Sequence, residues 1–193
     1  MKAVLQRVKS ASVTVDGQLI SSIGKGILVL AGVGKEDTEK DADSLVGRIL
    51  KARLWPDDNG GQWKKNVQDI EGEVLCVSQF TLYGNLKKGN KPDFHDAADV
   101  ETARKLYDYF FQRLRAAYKP ERVQNGIFQA MMEVELKNDG PVTIEINTQL
   151  PKKEKDKNPE SSQTSGQPSG QSSESGEGET KTYEFQLPAT LLE

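Results

Sequence analysis

Val74-Leu75-Cys76-Val77-Ser78-Gln79-Phe80-Thr81-Leu82-Tyr83-Gly84 is the stretch on which the fold turns. Its first half, Val74 to Val77, is a continuous apolar run after Gly72 and Glu73, the pattern of a strand buried on both faces and therefore central in its sheet. Its second half changes chemistry abruptly, placing the polar Ser78, Gln79 and Thr81 among Phe80, Leu82 and Tyr83 before Gly84 breaks the run. Polar groups at the end of a buried strand need partners, because leaving one unpaired costs about 1–3 kcal/mol. Either the protein's own backbone or a ligand satisfies that demand, and most side-chain hydrogen bonds go to backbone or water.

Working outward toward the N-terminus, Ile27 to Val33 is a second apolar run with the same strand signature. Before it, Ala11, Val13 and Val15 alternate with Ser12 and Thr14, and Asp16-Gly17 is a two-residue hairpin signal with Gln18–Ile23 as the returning strand. Gly32-Val33-Gly34-Lys35 is no phosphate loop, since that motif needs Gly at Val29 and Ser or Thr at Glu36. Thr38 with Asp41 three residues later forms a capping pattern, and Ala42, Leu45, Val46, Ile49 and Leu50 follow at helical spacing. Trp55 and Trp63 flank the turn-rich Pro56–Gly61; packing against the body is expected of both, while an exposed pair would suit a ligand rim.

Toward the C-terminus, Asn85–Asp96 is a polar loop containing Lys87, Lys88, Lys91 and His95, the sole histidine. Residues 97–118 carry the clearest helical stripe, Val100, Ala103, Leu106, Tyr107, Phe110, Phe111, Leu114 and Tyr118, which predicts a core face. Lys119-Pro120 stops that helix. Ile127–Leu136 is expected to return as a strand, Asn138-Asp139-Gly140-Pro141 as a turn, and Val142–Ile146 as a strictly alternating strand.

The apolar content ends there. Residues 151–182 contain none of Ala, Val, Ile, Leu, Met, Phe, Trp, Tyr or Cys, a composition that cannot offset chain entropy by burial. The expected organisation is a folded domain over 1–150, a disordered low-complexity linker over 151–182, and a C-terminal segment over 183–193 in which Tyr183–Leu187 alternates like an edge strand. Of 26 basic and 29 acidic residues, five Lys and eight Asp or Glu lie in 151–193, which leaves 21 of each sign in 1–150. A neutral body argues against tight nonspecific binding of long nucleic acid, which depends on many phosphate contacts. The single cysteine, Cys76, reads as a core residue, and a reducing, cytoplasmic setting fits. Charges interrupt the first residues where a signal peptide needs its apolar region, and no run approaches a membrane span, so no membrane partner is expected.

Catalytic side chains are scarce. His95 sits among Pro92, Asp93 and Asp96 with nothing to orient it as a base, and one His with one buried Cys makes a poor metal set, so no metal and no cofactor are expected. A catalytic function would rest on hydroxyls, amides and backbone groups at Ser78–Thr81, which suit stabilisation of an oxyanion better than proton transfer.

Ser78-Gln79-Phe80-Thr81-Leu82, Asn138-Asp139-Gly140-Pro141-Val142-Thr143 and the opening Leu5-Gln6-Arg7-Val8, with Lys88–Phe94 and Phe128–Met132 between them, resemble the D-aminoacyl-tRNA deacylase family over about residues 1–148. Lys91 stands where many members carry Arg. The resemblance implies an α/β chain of α+β type, with a mixed or antiparallel sheet or barrel-like core and two main helices, assembled as a homodimer. It implies that the activity is hydrolysis of D-aminoacyl-tRNA, that the partner is the aminoacyl-tRNA 3′ end, and that Ser78, Gln79, Phe80 and Thr81 are catalytic. Substrate binding falls by the same likeness to Gly140, Pro141, Arg7, Phe128 and Met132. A cis Gly140-Pro141 bond would present carbonyl oxygens to the other subunit's pocket and reject L side chains, Arg7 would brace it, and Phe128 and Met132 would line the terminal adenosine pocket. Water attack assisted by the substrate's 2′-hydroxyl is the expected mechanism, with Thr81 as covalent nucleophile the runner-up. Two other readings stand beside it: a noncatalytic nucleic-acid-binding module using Lys87, Lys88 and Lys91, and an interaction protein with a phosphorylated tail.

Overall fold

The computed structural model describes residues 1–86 and 90–149; Lys87, Lys88, the low-complexity segment and the strand expected at Tyr183–Leu187 lie outside the described residues. Within them run β1 (Lys2–Val15), β2 (Gln18–Ile23), β3 (Gly26–Gly32), α1 (Glu39–Lys51), β4 (Glu73–Ser78), α2 (Val100–Ala117), β5 (Val123–Asn125) and β6 (Glu133–Asn147). The β1–β2 hairpin forms at Asp16-Gly17, both residues having positive φ (50° and 74°) as a two-residue turn of matching twist requires.

The strands form one mixed sheet in the order β2-β1-β3-β4-β5, with β6 on the other side of β1. β4 runs parallel to β3 and to β5, so each pair needs a crossover, and α1 and α2 supply the two. Both crossovers advance in the same direction across the sheet, which puts both helices on one face. β2 curls back against β4 and β5, giving the nearly closed, barrel-like core.

Side-chain parity then builds two cores. On β4, Val74 and Cys76 face the helices and join Leu45, Ile49, Phe110 and Leu114, whereas Leu75 and Val77 face the inside of the curl with Val8, Val13 and Leu28. All four β4 residues are buried, as the apolar run predicts. Each such side chain contributes roughly 1.5–3 kcal/mol relative to exposure. Thr38 and Asp41 form the capping box of α1, and Asp99 caps α2 by accepting from the Glu101 and Thr102 N–H groups at 3.1 and 3.0 Å.

Three expectations are corrected, and one strand is additional. β5 is only three residues long, too short for a periodic signal, and was not foreseen. Residues 127–132 are not strand; β6 begins at Glu133, and Gln129 with φ of 65° reverses the chain before it. Asn138–Pro141 does not separate two strands but lies inside the 15-residue β6, where Gln6 pairs with Thr143 and Val8 with Asn138. Residues 139–142 therefore bulge out opposite Arg7. Trp55 is buried, but Trp63 is 53 % exposed, so the two tryptophans do not share a role.

Candidate active site

β4 ends at Ser78, and the Gln79 N–H donates to the Ala31 carbonyl at 2.7 Å, holding the chain against β3 for one residue more. Phe80–Tyr83 then winds into a single 3-10 turn, closed when Leu82 N–H donates to Gln79 O at 3.3 Å and Gly84 N–H to Thr81 O at 2.9 Å. The N–H groups of Phe80 and Thr81 occupy the first two positions of that turn, where a helix offers no acceptor of its own. Among the described residues neither has another acceptor. The Gln79 side-chain amide donates to Thr81 Oγ1, so the threonine hydroxyl faces a donor and not a base.

The turn is anchored from behind. Tyr83 donates its hydroxyl to Asp37 Oδ2 at 2.9 Å, and the same carboxylate accepts from the Gly34 N–H at 2.6 Å and pairs with the buried Met1 amino group. Burial, then the hydrogen bond to Asp37, pushes the Tyr83 phenol well above its ordinary range, so it stays a donor. Gly34 is required for this approach, because a Cβ there would lie 2.6 Å from the Tyr83 ring. From the front, Phe94 packs on Phe80 with ring centroids 5.0 Å apart.

Beside the turn lies a cavity of about 620 Å³ whose walls include Ser78, Gln79, Phe80, Val100, Phe128 and Met132. Residues 128–132 thus serve as a wall and not as sheet, and Met131 is 90 % exposed in consequence. Gly126 allows the wall to sit close, since a Cβ there would meet Met132 Sδ at 2.7 Å. Phe128 packs against Tyr107, the rings tilted by 44° with centroids 5.8 Å apart, and lies under the Arg104 guanidinium at 4.6 Å. Tyr107 hydrogen-bonds Asn125 Oδ1 at 2.7 Å, and burial pushes its phenol well above the ordinary value.

Of the residues singled out from sequence, the cavity brings together Ser78, Gln79, Phe80, Phe128 and Met132, with Thr81 on the adjoining turn. Arg7, Gly140 and Pro141 form a second group outside its walls. There Arg7 Nε donates to Asp139 O at 2.9 Å and lies 3.3 Å from the Asp139 carboxylate, while its Nη1 donates to Leu54 O. The Gly140-Pro141 bond is cis, and Gly140 has φ of 129°. His95 is 90 % exposed, hydrogen-bonded to Asp93, and absent from the cavity walls. Val33, Val100, Ala103 and Tyr107 also line the cavity, residues that sequence reasoning assigned to a strand run or to a core face. Val100 is 54 % exposed at the start of α2, so the apolar stripe runs on past the core into the cavity.

The family described as D-Tyr-tRNA(Tyr) deacylase matches residues 4–147, which takes in both groups of residues. A D-aminoacyl-tRNA deacylase from Yarrowia lipolytica is 53 % identical over 150 residues, 77 % of this chain and 97 % of that protein. Human D-aminoacyl-tRNA deacylase 1 is 52 % identical over 151 residues, 78 % of this chain and 72 % of that one. A solved structure described as c-Myc DNA Unwinding Element Binding Protein superposes with a TM-score of 0.74 at 52 % identity, covering 76 % of this chain and 98 % of its own. With half of its folded residues identical to such relatives, and with the strand-end turn and the cis Gly140-Pro141 bulge both inside the matched region, the chain belongs to the D-Tyr-tRNA(Tyr) deacylase family.

Proposed function

We propose that this protein hydrolyses the ester bond of D-aminoacyl-tRNA, releasing the D-amino acid and free tRNA. The observation that carries this reading is the pair of acceptor-free N–H groups at Phe80 and Thr81 beside a largely apolar cavity with stacking walls. Water attack on the ester carbonyl makes a tetrahedral oxyanion, and donors fixed in advance are each worth about 3–4 kcal/mol to such a species. Tyr107 is the sole ionisable group in the cavity walls among the described residues, and its raised phenol stays protonated. The substrate's own 2′-hydroxyl then serves the proton transfers, and Thr81, held by the Gln79 amide, positions rather than attacks. Phe128 and Met132 take the terminal adenosine.

The second group, Arg7 with Gly140-Pro141, acts on the neighbouring subunit of a homodimer. Arg7 fixes the bulge through the Asp139 carbonyl, and the bulge offers carbonyl acceptors to the substrate's amino group in the partner's cavity. An L side chain would collide with it, so discrimination comes from exclusion. We assign the activity to residues 1–150 and the cytoplasm as its compartment.

Single-turnover assays with D- and L-aminoacyl-tRNA test the reading: the D ester should be cleaved and the L ester spared. A second reading, a noncatalytic nucleic-acid-binding module, draws on the description of the 52 %-identical solved structure. The neutral charge of residues 1–150 speaks against it. Retention of DNA or tRNA with no cleavage of either ester would favour it.

A further inference from the structure

We infer that Arg104 is a phosphate-binding residue for the 3′ end of the tRNA, gripping the backbone just before the nucleoside that enters the cavity. This rests on the proposed function and extends its binding site beyond the cavity walls. Arg104 stands on the exposed face of α2, one residue after the wall residue Ala103. Its guanidinium lies 4.6 Å from the centroid of the Phe128 ring, and Nη2 donates to Gln129 Oε1 at 2.8 Å. Phe128 and Gln129 are both cavity walls, so the charge is fixed at the cavity mouth.

The chemistry of that placement is specific. A guanidinium held over a ring keeps its five N–H donors in one plane, and only one of them is used by Gln129. Among the described residues Arg104 has no carboxylate partner, whereas its neighbour Lys105 is paired with Glu101 at 2.7 Å. Two further exposed cations are likewise paired, Arg113 with Asp43 and Lys119 with Glu71. A pre-ordered, uncompensated planar fork above an aromatic wall suits a phosphodiester whose adjoining base stacks below. Tyr107, Phe128 and Arg104 form the layered wall that such a nucleotide would meet.

The test compares D-aminoacyl-tRNA with a D-aminoacyl-adenosine ester, which has no phosphate. For Arg104→Ala, KM for the tRNA ester should rise roughly tenfold with kcat held, the factor that about 1.4 kcal/mol of lost charge-assisted bonding produces. KM for the adenosine ester should change far less. The slope of log affinity for uncharged tRNA against log salt should flatten by about 0.7, the share of one single-strand phosphate. Arg104→Lys should recover part of the salt slope, and Arg104→Glu should be worse than Ala. Equal losses on both esters would overturn the inference, because Arg104 would then merely support Phe128; so would an unchanged KM and salt slope in Arg104→Ala. Binding of uncharged tRNA keeps the two claims separable: Arg104-dependent binding without ester cleavage would leave the inference standing and fell the deacylase reading, and cleavage without Arg104 dependence would do the reverse.

Discussion

At the scale of single residues, the candidate site depends more on backbone than on side chains. Thr81 receives a hydrogen bond from an amide, which cannot remove its proton. Thr81→Ala should therefore lose no more than about tenfold in kcat/KM, the worth of one hydrogen bond near 1.4 kcal/mol. Gly140 is less forgiving. Its φ of 129° is one that L residues rarely adopt, and a Cβ there would lie 3.0 Å from Val142 Cγ2 and 3.1 Å from Arg7 Nη2. Gly140→Ala should cost roughly a hundredfold in kcat/KM, equivalent to about 2.7 kcal/mol and within the range of strain at such a position. Rate measurements on the two variants decide the order, and a dead Thr81→Ala with an acyl-enzyme trapped in wild type would restore the covalent mechanism.

Whole elements were legible where period and length agree. The β4 run, the Asp16-Gly17 hairpin and the buried face of α1 were all readable, the last residue for residue at Ala42, Leu45, Val46, Ile49 and Leu50. Residues 127–132 were misread because Ile127, Phe128, Ala130, Met131 and Met132 are as apolar as a strand, yet 128–132 line a cavity, and apolarity alone does not say which. Asn138–Pro141 was misread because the residues that make turns also make bulges. The strand-end turn of the site was visible as a change of chemistry after Val77. That two of its amides lack acceptors is a matter of backbone geometry that no residue type encodes. One prediction belongs at this scale. The Thr102 backbone N–H, its side chain and the Glu101 N–H hold the Asp99 carboxyl below its usual range at the start of α2. A carboxyl lowered in the folded state contributes stability above its unfolded value of about 3.9, and loses it as pH falls through the lower folded value. Asn caps as well but does not titrate. The excess melting temperature of wild type over Asp99→Asn should thus shrink as pH falls from about 5 toward 3, as thermal melts across that range would show; a constant gap would mean the carboxylate charge adds nothing.

For the molecule as a whole, the two residue groups lie apart, Arg7, Gly140 and Pro141 standing outside the cavity walls. If Gly140-Pro141 completes a neighbour's cavity, activity per chain should fall on dilution below the dimer dissociation constant. An inactive Gly140 variant mixed with an inactive variant at Gln79–Thr81 should regain activity, since each mixed dimer rebuilds one site. A fully active monomer, or mixed dimers that stay inactive, would refute the shared site. The interior of β4 offers a separate way to follow such changes. Cys76 is the only thiol in the sequence, is fully buried, and is held far from ionisation by that burial. Its sulfur is therefore a clock that runs only when the sheet opens: the rate of labelling by an aqueous thiol reagent reads the frequency of global opening, with no engineered probe and no second cysteine to confuse the signal. A ligand that binds only the closed form should slow that clock by the factor one plus its concentration over its dissociation constant, so occupancy of the cavity becomes measurable by mass shift with unhydrolysable esters and without any turnover at all.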